Sequence, residues 1–167
     1  MQIAPLSILT LGDKRLKQES LPVTQFDSTL KDLCEAMFVT LKSKNGLGLA
    51  AVQIGELVQV FITNLPDDEP RIFINPSIIA TSENYVWHEE GCLSIPNYYD
   101  HVRRPEAVTI QAFNLKGKPF QLSATRLLAR VLQHEMDHLK GILFIDRLPK
   151  PQIKSKAIKD APHNIKA

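Results

Sequence analysis

Apolar side chains recur along this chain with two different periods, and the switches between them mark its elements. Leu30, Leu33, Cys34, Met37, Phe38 and Leu41 fall at helical spacing on one face, entered at Asp27 or Ser28 and stopped by Asn45-Gly46. This predicts an amphipathic helix, with Cys34 a small buried member of its apolar face rather than a ligand. Residues 8–22 show no such period and read as an irregular arm. From residue 57 onward, short runs rich in branched residues and bounded by Pro, Asp or Ser predict strands at 57–64, 71–74, 78–81 and 83–88. Residues 108–114 and 119–122, joined across Lys116-Gly117-Lys118, predict a β-hairpin. Helical spacing then returns. Residues 127–139 hold neither Pro nor Gly, Ser123 or Thr125 can cap the start, and Gly141 supplies the stop. Pro149 and Pro151 interrupt the chain before a weak last stripe of Ile153, Ala157, Ile158 and Ala161. Helix, strands, helix is an α+β order, with short antiparallel strands packed around the second helix. The expected organisation is one domain over residues 1–148 and a basic tail, helical, over 149–167.

Composition narrows the class without naming a function. A chain of 167 residues, 44% hydrophobic, suits one compact domain. A net charge of +2 gives no indication of DNA binding. Two cysteines make no disulfide framework, which fits a reducing compartment. No apolar run reaches the length of a membrane span, and no basic region followed by an apolar core opens the chain. A cytoplasmic protein without a membrane association is the expectation.

The second predicted helix carries the chemistry. His134 and His138 lie four residues apart, one turn above each other, so both imidazoles can reach one metal ion. Glu135 lies about 100° round the helix from His134, close enough to address a water on that metal. Leu127, Val131, His134 and His138 share one stripe, so the histidines point inward with the apolar side. A pair of core histidines is the plainer reading, but it gives no reason for the intervening Glu. The third ligand decides the class. No Glu follows Glu135, and the sixth place after His138 is Phe144 rather than His, so both common zinc-protease patterns fail there.

Two further stretches stand out. Residues 46–53 alternate small residues with leucines and end on a polar Gln53, which allows close backbone approach by a ligand or a neighbouring strand. They form neither a phosphate loop nor a dinucleotide fingerprint. In residues 89–96, Cys92 sits beside Gly91, after two acids and before Pro96, and reads as a tight turn leaving a strand. A thiolate there would complete a Cys/His/His set with a fourth position for water. A nucleophilic Cys with a His base is the rival reading, and it accounts for only one histidine.

Together, residues 46–53, 90–94 and 133–138 resemble, in order, spacing and residue type, the three signature motifs of peptide deformylases, and the similarity runs from about residue 8 to residue 148. The resemblance implies a hydrolase that removes the formyl group from N-formylmethionyl peptides of nascent chains and releases formate. It implies Cys92, His134 and His138 as ligands of a divalent metal, Fe(II) in the cell with Zn(II), Ni(II) or Co(II) as replacements. Glu135 would be the acid–base group, and the Leu93 N–H and the Gln53 amide would face the oxyanion. Gly48 would pair with the peptide backbone, Leu47, Leu127 and Val131 would line the methionine pocket, and Glu90 would organise the site. His88 and Arg130 stand where many relatives have apolar residues near that pocket, and Asn97-Tyr98-Tyr99 replaces a stretch where some carry an Arg. The tail reads first as a solvated helix docked by its isoleucines, and more sharply as a basic surface in contact with ribosomes. A metallopeptidase and a non-catalytic binding relative are the alternatives.

Overall fold

The computed structural model describes residues 2–149. The expected tail helix, its ribosome contact and the domain boundary at 148 fall largely or wholly outside them. Two helices, α1 (Ser28–Ser43) and α2 (Arg126–Leu139), pack with seven strands. These are β1 (Gly48–Ala50), β2 (Val60–Thr63), β3 (Arg71–Thr81), β4 (Tyr85–Cys92), β5 (Ile95–Pro105), β6 (Ala107–Phe113) and β7 (Pro119–Thr125). The larger sheet is antiparallel throughout, in the order β1-β2-β3-β6-β7, and β4 and β5 form a separate antiparallel ribbon. The α+β class is the one expected.

Period-two alternation along β2 puts the helices on opposite faces of the sheet. Val60 and Ile62 pack in one cluster with Leu30, Cys34, Met37 and Leu41 of α1. Phe61 packs in the other with Ala129, Leu132, Met136 and Leu139 of α2, its ring stacked 4.7 Å from that of Phe73. The Asp27 carboxylate caps α1 by accepting the Leu30 N–H at 3.1 Å. Cys34 is buried on the apolar face, as predicted.

Three local expectations change. The strands predicted at 71–74 and 78–81 are one strand, β3, which crosses Pro76 by an irregularity between Ile74 and Ser77. Asn75 makes this possible by taking φ +48° while its side chain grips both the Val23 N–H and the Val23 carbonyl, at 2.8 and 2.9 Å. Strand β5 has no counterpart among the predicted elements. At the start of α2, Thr125 sits at the capping position without a capping bond, and Ser123 pairs with Thr109 instead. The chain turns there through Arg126, at φ +54°, whose N–H goes to the Glu106 carbonyl at 3.1 Å. Gly141 ends the helix at φ +73°, and a Cβ on it would lie 2.5 Å from the Lys17 carbonyl oxygen. Among the described residues no helix is long and apolar enough to cross a membrane.

Candidate active site

Helix α2 is buried along its last three turns, which carries its polar residues into the protein. His134 and His138 stack edge to face, 5.1 Å between ring centres. The β4–β5 ribbon delivers the third group: its register breaks after Gly91, so that Cys92 opposes Ile95 and the chain turns through Leu93 and Ser94. Cys92 Sγ lies 3.4 Å from His138 Nε2. One donor atom from each of Cys92, His134 and His138 lies within 4.8 Å of the other two, and all three residues are buried.

The ring nitrogens of both histidines are arranged around this point. His134 Nδ1 bonds Glu90 Oε1 at 2.9 Å, while its Nε2 is buried without a hydrogen-bond partner, and His138 turns its Nε2 toward Cys92. An imidazole oriented by a carboxylate on one nitrogen and left open on the other is the arrangement a metal ligand needs. Burial and the neighbouring His134 hold the His138 pKa well below its ordinary value, keeping the neutral form that binds metals. Burial opposes a charge on His134 too, but the neighbouring Cys92 sulfur and the Glu90 carboxylate outweigh it and carry its pKa well above the ordinary range. One sulfur and two imidazoles fit a divalent transition metal.

Glu135 faces the same space and is fully buried, with no partner for either oxygen. Burial, offset in part by His134, pushes its carboxyl up to about 7, where it can both take and return a proton near neutrality. Gln53, in the 3-10 turn after β1, accepts the Ala50 N–H on Oε1 at 2.9 Å. That fixes the amide so that its Nε2 donates toward Ser94 Oγ at 3.1 Å and Cys92 Sγ at 3.7 Å.

Glu90 holds the centre together. Burial alone would raise its pKa, but His134 and Arg104 keep the carboxyl well below the usual range. Arg104 grips it with two bonds, Nε to Oε2 at 2.6 Å and Nη2 to Oε1 at 3.0 Å, and reaches Asp137 Oδ2 at 2.9 Å. Arg147 closes the network with two 2.6 Å bonds to Asp137. Arg104, Asp137 and Arg147 were not singled out in the sequence. Arg130, expected near the methionine pocket, turns instead into this network and bonds Glu90 Oε2 at 2.7 Å. His88 lies exposed, its Nδ1 3.0 Å from the Glu89 carbonyl.

Comparison with known proteins agrees with this geometry: the family model of polypeptide deformylases matches residues 5–154. The chain belongs to the peptide deformylase family. It is 44% identical over 154 residues to the peptide deformylase of Brucella suis, covering 90% of this chain and 87% of that one. To the peptide deformylase of Neisseria meningitidis serogroup B it is 43% identical over 168 residues, 98% and 100% of the two chains. The peptide deformylase of Ehrlichia chaffeensis in complex with actinonin superposes with a TM-score of 0.89 at 37% identity, over 92% of this chain and 94% of that one. The peptide deformylase of Legionella pneumophila gives 0.87 at 40%, over 91% and 90%. As a peptide deformylase this chain is a metal-dependent hydrolase that removes the N-formyl group from nascent peptides.

Proposed function

We propose that Cys92, His134 and His138 hold one divalent metal, Fe(II) in the cell and exchangeable for Zn(II), Ni(II) or Co(II), and that Glu135 is the acid–base group of the reaction. The observation that carries this is the buried Glu135 carboxylate, unpartnered and pressed against Gly48 beside the Cys/His/His set. A metal bound there supplies hydroxide near neutral pH and polarises the formyl carbonyl. Every other part falls to residues of the chain.

The N-formylmethionyl end of the substrate lies along β1, the terminal strand of the large sheet, and adds to it through the backbone of Gly48. Leu47, Leu127 and Val131 line the space for the methionine side chain; of these Val131 is buried and the other two are half-buried, ready to close over an apolar group. Glu135 accepts a proton from the attacking water and returns it to the leaving amine. The Leu93 N–H, in the turn after Cys92, and the Gln53 amide donate to the oxygen on which negative charge develops. Glu90 fixes the ring of His134 through Nδ1. Formate and a peptide with a free amino terminus leave. Such substrates place the enzyme in the cytoplasm, where chains are made, and a basic tail over 149–167 in contact with the ribosome would suit that role.

Anaerobic purification with metal analysis, followed by a formate-release assay on formyl-Met peptides, tests the reading. One metal per chain and steady formate release are expected. Turnover of formyl peptides by metal-free protein, or stoichiometric metal without turnover, would overturn it.

A further inference from the structure

Arg130 is a buried cation at this centre for which the reaction above has no use. Its placement is costly, because the residue is 4% exposed and shares Glu90 with a second buried cation, Arg104. Arg104 alone neutralises the carboxylate. What Arg130 adds is direction.

Among the described residues, the four hydrogen bonds to Glu90 divide between its oxygens. Oε1 receives His134 Nδ1 and Arg104 Nη2, while Oε2 receives Arg104 Nε and Arg130 Nη1. Arg104 is shared, since its remaining nitrogen Nη1 is drawn to Asp137, which half-exposed Arg147 also holds. Among the described residues Arg130 meets no second carboxylate. Its other bonds go to main-chain oxygens of both ribbon strands, Nη1 to Val102 of β5 and Nη2 to Val86 of β4, each at 2.9 Å. It is therefore fixed to the ribbon and directed at one oxygen of Glu90. Arg130 and His134 are also four apart on α2, so the same stretch of helix carries the ligand and the group that fixes its partner.

We infer that Arg130 is a positioning residue for the metal centre: by holding Oε2 it commits Oε1 of Glu90 to His134 Nδ1, and so keeps His134 Nε2 aimed at the metal. This rests on Cys92, His134 and His138 being the ligands. The substitution Arg130→Met keeps the length of the side chain and removes its charge and bonds, Arg130→Gln keeps one donor without charge, and Arg130→Lys keeps charge and donor. The measurements use zinc-loaded protein: the rate of zinc release to a chelator, and the exchange of the His134 Nδ1 proton with water followed by NMR.

Arg130→Met is expected to release zinc about 10- to 100-fold faster than the parent, with faster exchange of the His134 Nδ1 proton. Arg130→Lys is expected to recover most of both. Should Arg130→Met not fold, faster release from Arg130→Gln with Arg130→Lys near the parent supports the inference equally. Parent-like release and exchange in the charge-free variants, with only a lower melting temperature, would reduce Arg130 to a clamp between helix and ribbon. A parent that binds no zinc would overturn the ligand set, and this inference with it.

Discussion

Gly48 and Glu135 touch so closely that a methyl group cannot come between them: a Cβ built on Gly48 lies 2.7 Å from Glu135 Oε2 and 2.9 Å from Val131 Cγ1. Strand β1 and helix α2 thus meet at the one place where the proposed base enters the site. Gly48→Ala must push the carboxylate or the strand aside. The expected result is a loss of about 10²-fold or more in kcat/KM for formyl-Met peptides, since displacements of about 1 Å cost that much. Metal content should stay at the parent level, measured on the same preparation.

Glu135→Gln separates chemistry from structure. Fold and metal should survive, and kcat should fall by about 10²–10⁴-fold with KM near the parent value. Stability supplies a second readout. Because burial raises the folded-state pKa from 4.5 to about 7, the folded metal-free parent holds a proton that the unfolded chain has lost, and its stability falls as pH rises through that window. The Gln variant lacks this slope. Denaturant titrations of the two metal-free proteins should coincide near pH 4.5 and diverge toward pH 7, the variant being the more stable. Parallel curves across that range would remove Glu135 as a buried, raised carboxyl.

The two cysteines should behave oppositely. Cys92→Ala is expected to lose tightly bound metal. Cys34→Ala should keep it and cost about 1 kcal/mol of packing stability. Burial, with Glu35 nearby, pushes the Cys34 thiol up to about 12, so it should resist maleimide in the native protein at pH 8 and react only on unfolding. Metal analysis and mass spectrometry of labelled protein check both statements.

Glu90→Gln leaves Arg104 and Arg130 buried without their shared counter-charge. Breaking a buried pair from one side costs about 3–5 kcal/mol, so a large drop in thermal or denaturant stability is expected. The same change loosens His134, and weaker metal retention should accompany it.

The Cys92, His134 and His138 cluster was legible because its signal is local: i,i+4 spacing on a helix and a Cys in a Gly-bounded turn need no knowledge of the fold. Strand β5 was not, because its inward positions are Ile95, Asp100, Val102 and Arg104 rather than an apolar alternation. Two of the four carry charge, and charged residues pointing inward read as solvated until their partners are known. A period of two at Asp100, Val102 and Arg104 was the only available signal. The same buried polarity explains why Arg104, Asp137 and Arg147 escaped notice: their partners lie 14, 33 and 10 residues away in the chain. Arg130 looked like a pocket residue for a related reason. Its place on α2 was readable, but the direction of a long side chain depends on a ribbon whose second strand was not foreseen.

The brevity of β1 sets a deadline for the enzyme. Only three residues long, it is the end strand of the large sheet, and the substrate proposed above would have to pair with that short edge. A chain that pairs in this way must arrive extended, with its backbone groups still unclaimed. Once a new protein has tucked its amino terminus into a helix or a sheet of its own, those groups are taken and the edge is closed to it. The formyl group must therefore come off while the substrate is still a loose end, ahead of its folding.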